Sequence, residues 1–225
     1  MIIVTGASRG LGKAITERLT EKGEEVIGLA RSVSGLKIEA IECDVSDYTS
    51  VKNASREVKR LKKPVKAFIN AAGVASMNMA VTTDKDTVQK LIQTNLVGTI
   101  YCSQLFAPIM LRQKYGSFIN FSTIAVALAL KGESIYAASK AGVESFSRTF
   151  AREMADFNVR VNCIAPGPIP TDLLRGISEN QIAKITSQQI IPKQFQKSDV
   201  CDLVELLIDE RAASLSGQVL NVGGV

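Results

Sequence analysis

The chain has 225 residues, of which 46% are apolar, and its formal net charge at pH 7 is +5. This length and apolar share are typical of one α/β unit that buries a continuous core. The net positive charge favours anionic ligands such as phosphates. The basic residues are scattered, however, and do not form the cluster that is typical of a nucleic-acid-binding protein.

The four cysteines, Cys43, Cys102, Cys163 and Cys201, are widely separated, and the sequence contains no histidine. This pattern argues against a metal site and is expected of reduced thiols in a cytoplasmic protein. The sequence shows neither a signal peptide nor an apolar run long enough for a membrane helix. We therefore expect a cytoplasmic protein with no metal and with neither nucleic acid nor membrane as a partner.

The first apolar run, residues 1–5, leads into Gly6-Ala7-Ser8-Arg9-Gly10-Leu11-Gly12 and then into a helix-period segment, residues 13–22. Strand, glycine turn and helix in this order form a dinucleotide phosphate site, because amides at the helix start point at the pyrophosphate. The glycine spacing differs from the commoner Gly-x-Gly-x-x-Gly, and a simple turn is the alternative. The position directly after the first strand favours the cofactor site.

The end of the second predicted strand, residues 26–30, bears on cofactor choice. Enzymes that use the non-phosphorylated cofactor place a carboxylate here to bind the ribose 2′-hydroxyl. In this chain Arg31 follows the strand, and Arg9 lies in the glycine turn. Because guanidinium groups pair well with phosphate, the two arginines indicate a 2′-phosphate and hence NADP(H). The alternative is that both are ordinary surface arginines.

The second crossover is predicted to be short. Only residues 32–36 separate the second strand from the third, residues 37–43, and a full crossover helix normally needs about ten residues or more. Asp44, which closes the third strand together with Val45, is placed to meet the adenine amino group.

The middle of the chain contains a predicted helix over residues 48–61 and a compact apolar strand over 65–69. The small residues of Asn70-Ala71-Ala72-Gly73 then allow a ribose and nicotinamide to lie close to the backbone. Residues 84–111 are predicted to be a long helical region. Its internal Asn95, among apolar neighbours, is either a buried kink or a functional polar group, and both readings stay open.

The residues expected to carry the chemistry follow a strand predicted over 116–121 and begin a helix predicted over 134–155. Tyr136 and Lys140 stand four residues apart and share one helix face. A tyrosine has a pKa of ~10, and a nearby ammonium stabilises the phenolate and lowers that pKa. Thr123 supplies a hydroxyl that holds a carbonyl oxygen against the phenol. The same Tyr–Lys spacing also occurs by chance on helix surfaces.

The last third of the chain begins with a strand predicted over 159–164 and a proline-rich turn over 165–171. The turn stands at a carboxyl end of a strand, where ligands bind in open α/β sheets. Residues 172–196 are polar and weakly patterned, as expected of a mobile substrate lid. A helix over 200–209 and a strand over 218–222 complete the pattern.

The alternation of strands and helices predicts an α/β fold with a Rossmann-type, doubly wound parallel sheet of about seven strands. No internal repeat or composition shift indicates a boundary. We therefore expect a single domain over residues 1–225.

Six motifs in this order resemble those of the short-chain dehydrogenase/reductases over essentially the whole chain. They are Thr5-Gly6-(x)3-Gly10-x-Gly12, Asn70-Ala71-Ala72-Gly73, Asn95, Ser122-Thr123, Tyr136-(x)3-Lys140 and Pro166-Gly167. Within that family the chain most resembles the 3-oxoacyl-[acyl-carrier-protein] reductases, which act in fatty acid biosynthesis. Its C-terminal residues 215–224 contribute to this similarity.

The resemblance implies a catalytic tetrad of Asn95, Thr123, Tyr136 and Lys140. Tyr136 would donate the proton to the carbonyl oxygen as hydride arrives from the nicotinamide. Lys140 would bind the nicotinamide ribose and lower the pKa of the tyrosine. Asn95 would position a water that links Lys140 to a proton relay.

The cofactor site joins residues from several segments. The resemblance implies that the glycine turn cradles the phosphates, that Asp44 and Val45 flank the adenine, and that Ile169 and Thr171 contact the carboxamide. The full set expected to bind NADP(H) is Gly6, Ser8, Arg9, Gly10, Leu11, Gly12, Arg31, Asp44, Val45, Asn70, Ala71, Ala72, Gly73, Tyr136, Lys140, Pro166, Gly167, Ile169 and Thr171.

One departure from the family pattern concerns the hydroxyl group of the tetrad. Where the family has a serine before the tyrosine, this chain has Thr123, whose extra methyl restricts χ1 and fills space beside the substrate. We expect retained activity with altered substrate choice. Ser122 is the next candidate for this hydroxyl if the register slips by one, although alternation along the strand points its side chain away from the side of Thr123.

A second departure concerns carrier-protein docking, which in such reductases uses basic residues near the active-site entrance. Arg112 and Lys114 are the candidates here, whereas Phe157-Asn158 offers no cation. Carrier-protein specificity is therefore open.

The leading hypothesis is an NADPH-dependent reductase whose substrate is a 3-oxoacyl-[acyl-carrier-protein] thioester. The alternative within the enzymes is a reductase or dehydrogenase of a small ketone, sugar or secondary metabolite. A hypothesis from another class is a non-catalytic NADP(H)-sensing protein, but such proteins usually lose the tyrosine or the lysine. The family also implies a homo-oligomer, a tetramer or a dimer, through the helices around Asn95 and after Tyr136.

Overall fold

A computed structural model describes residues 1–174 and 176–225. In that part of the chain seven parallel strands form one sheet in the order β3-β2-β1-β4-β5-β6-β7. The strands are β1 (Ile2–Thr5), β2 (Val26–Ala30), β3 (Glu39–Glu42), β4 (Ala67–Asn70), β5 (Gly116–Phe121), β6 (Val159–Ala165) and β7 (Val219–Asn221). The chain order reverses between β1 and β4, so the predicted doubly wound sheet is confirmed.

Helices connect the strands and cover both faces of the sheet. They are α1 (Gly10–Glu21), α2 (Tyr48–Arg60), α3 (Lys85–Leu91), α4 (Gly98–Gln113), α5 (Ala125–Leu128), α6 (Ser134–Met154), α7 (Glu179–Thr186) and α8 (Lys197–Ile208), with a π-helical segment at Ile92–Val97. Between β2 and β3 the chain forms turns without a helix, which confirms the short second crossover.

The central strands are buried on both faces, as their unbroken apolar runs indicate. Ile2, Ile3 and Val4 of β1 are fully buried, whereas the sequence of β3, at one edge of the sheet, begins and ends with an exposed glutamate. An edge strand with exposed charges is protected against pairing with another chain.

Two apolar layers hold the sheet between the helices. On one face Phe68, Phe106 and Phe118 pack together, with the ring centroids of Phe68 and Phe106 4.6 Å apart. On the other face Ile15 of α1 and Val204 of α8 pack among the side chains of β1, β4 and β5. Aromatic packing of this kind adds to the free energy gained from burying the rings.

The structure divides the predicted long helix over residues 84–111. The segment Ile92–Val97 is π-helical, and Asn95 lies within it, fully buried. π-Helical turns often occur at functional sites. Here the side chain of Asn95 reaches the backbone of Val74. Its amide oxygen accepts a hydrogen bond from the Val74 N–H, and its amide nitrogen donates one to the Val74 carbonyl.

The polar segment 172–196 has more regular structure than its pattern predicted. It contains α7, whose N-terminus is closed by reciprocal hydrogen bonds between Ser178 and Gln181. Such a capping box satisfies amides that have no partner inside the helix.

No helix in the described ranges, 1–174 and 176–225, is long and apolar enough to cross a membrane. All four cysteines are buried free thiols. Burial raises the pKa of Cys43 and of Cys201 to about 11 and that of Cys163 to about 12. It also raises the pKa of Cys102 well above its usual value.

Candidate active site

The carboxyl ends of the central strands bring the predicted site residues to one edge of the sheet. The glycine turn leaves β1 at this edge, and Asn70-Ala71-Ala72-Gly73 begins at the end of β4. The hydroxyl of Thr5 accepts a hydrogen bond from the amide of Ala72 at 3.0 Å, which ties these two segments together. This is the edge where ligands bind in open parallel sheets.

Tyr136 lies in the first turn of α6, and its phenol is close enough to the hydroxyl of Thr123 for that hydroxyl to affect the pKa of the tyrosine. Thr123 follows the end of β5, and its hydroxyl also accepts a hydrogen bond from the amide of Ala125 at 3.2 Å. A phenol and a second hydroxyl in contact form a pair that holds one carbonyl oxygen between two donors.

The expected lowering of the tyrosine pKa is wrong for this structure. Burial, and next the carboxylate of Glu133, raise the pKa of Tyr136, while the hydrogen bond from Thr123 opposes the rise. The ammonium of Lys140 donates instead to the carbonyl oxygen of Phe121 at 2.8 Å. The phenol is therefore protonated at neutral pH, which is the form of a proton donor.

Lys140 is one helical turn beyond Tyr136 and only 5% exposed. Burial lowers its pKa to about 8, and the nearby Cys163 opposes this shift. Its Nζ lies 3.5 Å from the point where a Cβ on Gly73 would stand. A side chain at position 73 would thus occupy the space in front of the ammonium, which is where a nicotinamide ribose is expected.

Asn95 connects the segment after β4 to α6. Its Oδ1 accepts from the amide of Val74 at 2.9 Å, and its Nδ2 donates to the Val74 carbonyl at 2.9 Å and to the hydroxyl of Ser139 at 3.0 Å. Ser139 directly precedes Lys140. The side-chain amide is thus bonded to protein groups, and the water-positioning role implied for Asn95 stays a prediction.

Two glycines of the turn, Gly6 and Gly12, have no room for a side chain, whereas the space around Gly10 is open. A Cβ on Gly12 would lie 2.3 Å from the carbonyl oxygen of Gly6, so the start of α1 rests directly on the backbone after β1. Gly10 begins the helix, and Ser8 and Arg9 just before it are exposed. The free amides of a helix N-terminus beside the open space at Gly10 fit a dinucleotide pyrophosphate.

The two arginines expected to bind a 2′-phosphate come from neighbouring segments. The amide of Gly6 donates to the carbonyl of Leu29 at 2.8 Å, so the glycine turn adjoins the end of β2, where Arg31 follows. Arg9 and Arg31 are both exposed, and neither forms an ion pair with another described residue.

The residues expected at the two ends of the cofactor are placed at the same edge. Asp44 accepts from the amide and the hydroxyl of Ser46, at 2.9 and 2.6 Å, so its carboxylate closes a local turn. Val45 is buried and packs against Gly98. On the other side, Pro166 accepts from the amide of Ile124 at 3.1 Å, beside Thr123.

The remaining residues of the turn after β6 lie at the same carboxyl edge of the sheet. Ile169 is buried, and Gly167 and Thr171 are half-buried. Leu11, in the first turn of α1, is half-buried too.

The expected docking cations do not lie at this edge. α4 ends at Gln113 and β5 begins at Gly116, so Arg112 and Lys114 stand at the amino edge of the sheet. Phe157-Asn158, which precedes β6, is at the same edge. The placement of these cations near the entrance of the chain's own active site is therefore wrong, because successive parallel strands all start on the side opposite to it.

The sequence patterns missed a buried pair beneath the tetrad. The hydroxyl of Ser122 donates to Glu144 at 2.7 Å, and Glu144 is only 9% exposed. Ser122 therefore turns away from Thr123, as strand alternation predicts. A signal for Glu144 was present, because it stands four residues after Lys140 and shares its helix face.

Asn70, which was expected to bind the cofactor, belongs to a hydrogen-bonded group that links the strands below the site. Asn70 donates to the amide oxygen of Asn120 at 2.8 Å, and Asn120 donates to the hydroxyl of Ser147 at 2.8 Å. All three residues are buried. Their hydrogen bonds join the ends of β4 and β5 to α6, and only the three-dimensional pairing of the strands brings them together.

Comparison with known proteins identifies the family. Residues 1–182 match the family model described as short chain dehydrogenase. The 3-oxoacyl-[acyl-carrier-protein] reductase FabG of Escherichia coli is 30% identical over 231 residues, which cover 99% of this chain and 95% of that protein. The FabG of Staphylococcus epidermidis is 32% identical over 235 residues, covering 99% of this chain and 96% of that protein.

Solved structures of dehydrogenases share the fold. The ligand-free aldohexose dehydrogenase of Thermoplasma acidophilum superposes with a TM-score of 0.89 at 29% identity, covering 99% of this chain and 92% of that one. A putative gluconate dehydrogenase from Agrobacterium tumefaciens gives a TM-score of 0.92 at 23% identity, covering 100% and 94% of the two chains, and supports the fold alone. The chain is a member of the short-chain dehydrogenase family, whose enzymes are oxidoreductases that use a nicotinamide cofactor.

Proposed function

We propose that this protein is an NADPH-dependent reductase that converts the keto group of a 3-oxoacyl-[acyl-carrier-protein] thioester into an alcohol. The observation that carries the proposal is the contact between the side chains of Tyr136 and Thr123, with the buried Lys140 one helical turn away. The full-length similarity to FabG proteins supports the choice of substrate.

Each residue of the tetrad has a separate role in this proposal. Thr123 and Tyr136 hold the carbonyl oxygen of the substrate by hydrogen bonds, and the protonated phenol of Tyr136 gives its proton to that oxygen. Lys140 binds the nicotinamide ribose, and Asn95 fixes the Gly73 segment that faces it. When bound, the reduced nicotinamide supplies the hydride.

The other half of the proposal concerns the cofactor. The amides around Gly10 bind the pyrophosphate, and Arg9 and Arg31 bind the 2′-phosphate that distinguishes NADPH from NADH. Support comes from the exposure of both arginines beside the end of β2, where no carboxylate follows the strand. Asp44 and Val45 flank the adenine, and the turn from Pro166 holds the carboxamide.

A second candidate is oxidoreduction of a small sugar or ketone. It is favoured by the likeness to a structure named as an aldohexose dehydrogenase and by Thr123, whose methyl reduces the space beside the substrate. The non-catalytic alternative, an NADP(H)-sensing protein, is opposed by the presence of both Tyr136 and Lys140.

Three further features belong to the proposal. Residues 172–196 cover the substrate, and the protein forms a tetramer or dimer through the helices around Asn95 and after Tyr136. Phe150 of α6 is buried within the chain and therefore belongs to the core. Its ring stacks on that of the half-buried Phe146, with the two ring centroids 5.1 Å apart. The protein acts in the cytoplasm. Light scattering after size exclusion measures the oligomeric state.

The proposal is tested by following the loss of reduced nicotinamide absorbance with an acetoacetyl thioester as substrate. Rapid oxidation of NADPH, but not of NADH, is the expected result. Binding of NADPH without oxidation would favour the sugar or ketone candidate, and failure to bind either nucleotide would overturn the proposal.

A pair of tyrosine variants tests the mechanism in the same assay. Tyr136→Phe is expected to lose turnover and keep nucleotide binding, because only the proton donor is removed. Tyr115→Phe, which changes an exposed tyrosine at the opposite edge of the sheet, is expected to react as wild type. An unchanged rate in Tyr136→Phe contradicts the mechanism.

A further inference from the structure

Gln189 has a side-chain environment that the catalytic proposal does not use. It stands after α7 in the segment 172–196 and is only 5% exposed. Its Nε2 donates to the carbonyl oxygens of Ile191 and Lys193, at 3.2 and 2.9 Å. Its buried Oε1 has no hydrogen-bond partner among the residues that the structure describes.

Two glycines face this side chain from two different strand ends. A Cβ on Gly167, which follows β6, would lie 2.1 Å from Oε1 of Gln189. A Cβ on Gly223, which follows β7, would lie 3.0 Å from its Nε2. The amide therefore fills the space that the two glycines leave open, and no larger residue fits at position 167 while Gln189 is in place.

A backbone hydrogen bond holds the same place from the other side. The amide of Ile191 donates to the carbonyl of Gly223 at 2.8 Å. The segment that follows Gln189 is thus attached to the backbone after β7, and the glutamine side chain lies against Gly167.

Gly167 belongs to the turn that the proposed function assigns to the nicotinamide carboxamide. The preceding Pro166 accepts from the amide of Ile124, and Ile124 is the neighbour of Thr123. The Cδ1 of Ile124 also lies 3.3 Å from the Cβ position of Gly167. Gly167 therefore lies between the amide of Gln189 and the side chain of Ile124, the neighbour of Thr123.

We propose that Gln189 is a positioning residue that holds the turn 166–171 in place for the nicotinamide half of the cofactor. The inference rests on the proposed cofactor site. Its side-chain amide satisfies two loop carbonyls on one side and blocks movement of Gly167 on the other. An apolar side chain of similar length at position 189 would fill the same space, but it would leave the carbonyls of Ile191 and Lys193 without their donor.

The proposal predicts a selective effect on the two halves of the nucleotide. In Gln189→Ala we expect the dissociation constant of NADPH to rise about tenfold. The dissociation constant of adenosine 2′,5′-bisphosphate, which has no nicotinamide, is expected to stay within about twofold of wild type. Equal weakening of both ligands, or no weakening of NADPH, overturns the proposal.

Matched variants separate positioning from general damage. Gln188→Ala removes the neighbouring exposed glutamine, whose side chain donates to the carbonyl oxygen of Lys184 in α7, and is expected to bind as wild type. Gln189→Met keeps the volume but loses the donors. We expect it to fold and to weaken NADPH selectively, so the test survives if Gln189→Ala fails to fold.

A size exchange tests the contact with Gly167 directly. Gly167→Ala alone should weaken NADPH binding, because the new methyl collides with Oε1 of Gln189. The double variant Gly167→Ala with Gln189→Ala removes the collision and should bind NADPH no worse than Gln189→Ala alone. Additive losses would show that the two residues act independently and would overturn the proposal.

A measurement without nucleotide distinguishes failure of this inference from failure of the proposed function. Trypsin should cut the free Gln189→Ala protein faster at Lys184 and Lys193 than it cuts wild type or Gln188→Ala, because the segment has lost its side-chain attachment. Unchanged cleavage overturns the inference. A wild-type protein that binds no nucleotide overturns the proposed function, and the cleavage rates still decide whether Gln189 holds this segment.

Discussion

The hydroxyl of Ser122 donates a 2.7 Å hydrogen bond to Glu144 in the interior between β5 and α6. The residue before it, Phe121, accepts from the ammonium of Lys140 at 2.8 Å. Two consecutive residues at the end of β5 are therefore fastened to one face of α6. The next residue is Thr123, whose hydroxyl meets Tyr136, so these bonds hold in place the backbone that carries the proposed catalytic pair.

The Ser122–Glu144 bond should be visible in a double-mutant cycle. Ser122→Ala and Glu144→Ala each leave a buried polar group without its partner, and each should lower the free energy of unfolding by about 1–3 kcal/mol. The double variant should lose about 1 kcal/mol less than the sum, because one penalty is removed with both partners. Urea unfolding measures all three losses.

Arg148 provides the control for that cycle. Its guanidinium lies 3.3 Å from the other carboxylate oxygen of Glu144, and its side chain is 56% exposed. An exposed ion pair contributes about 1 kcal/mol or less, so Arg148→Ala should have a small effect. Strictly additive losses in Ser122→Ala and Glu144→Ala would contradict the importance of the buried bond.

Removal of Arg9 and Arg31 should change cofactor preference. In the double variant Arg9→Ala with Arg31→Ala, the dissociation constant of NADPH should rise by at least about tenfold, because charge-assisted bonds to the 2′-phosphate are lost. Binding of NADH, which has no such phosphate, should change little. Arg112→Ala removes a cation at the opposite edge of the sheet and should alter neither. Parallel weakening of both nucleotides would argue against a 2′-phosphate site.

Lys140 should make stability depend on pH. Its pKa is about 8 in the folded protein and 10.5 ordinarily, so between these values the unfolded chain binds more protons. The free energy of unfolding should therefore rise from pH 8 upward, by up to about 3 kcal/mol, as the folded protein escapes the penalty of burying a charge.

Lys140→Met is the variant that checks this dependence. It should be more stable than wild type below pH 8 and should lose the rise above it, whereas Lys131→Met, at an exposed lysine, should keep the rise. Urea unfolding on either side of pH 8 measures the difference. A constant difference between wild type and Lys140→Met at all pH values would contradict the buried-charge explanation.

Glu133 should shift the pH dependence of the reaction. Its carboxylate raises the pKa of Tyr136, and reduction needs the protonated phenol. Glu133→Gln removes the charge and lowers that pKa, so kcat/KM should begin to fall at lower pH than in wild type. Glu153→Gln, at an exposed position near the other end of α6, serves as control. Profiles that coincide even in the alkaline range where the phenol loses its proton would refute the effect.

Much of the architecture follows from the sequence because the central strands are long apolar runs between turn residues. The short second crossover was predictable from chain length alone, and the strand order then places Thr123 and Tyr136 at the carboxyl edge. The same reasoning contradicts a docking role for Arg112 at that edge, since the residues between α4 and β5 must lie on the other side.

The electrostatics and the interrupted helix were not predictable from residue patterns. The spacing of Tyr136 and Lys140 indicated a shared face, but burial raises one pKa and lowers the other, and the ammonium turns to Phe121. The π-helical turn at Asn95 depends on hydrogen bonds to Val74, which is distant in the sequence. Such contacts exist only after the tertiary structure has formed.

The burial of every thiol makes this chain suited to chemical measurement of its own unfolding. Cysteine reacts with alkylating reagents as the thiolate, which both burial and the raised pKa values suppress in the folded state. Cys43 and Cys102 report on one side of the sheet, Cys201 on the other, and Cys163 on a central strand. The order in which the four are modified at neutral pH would map which part of the molecule opens first.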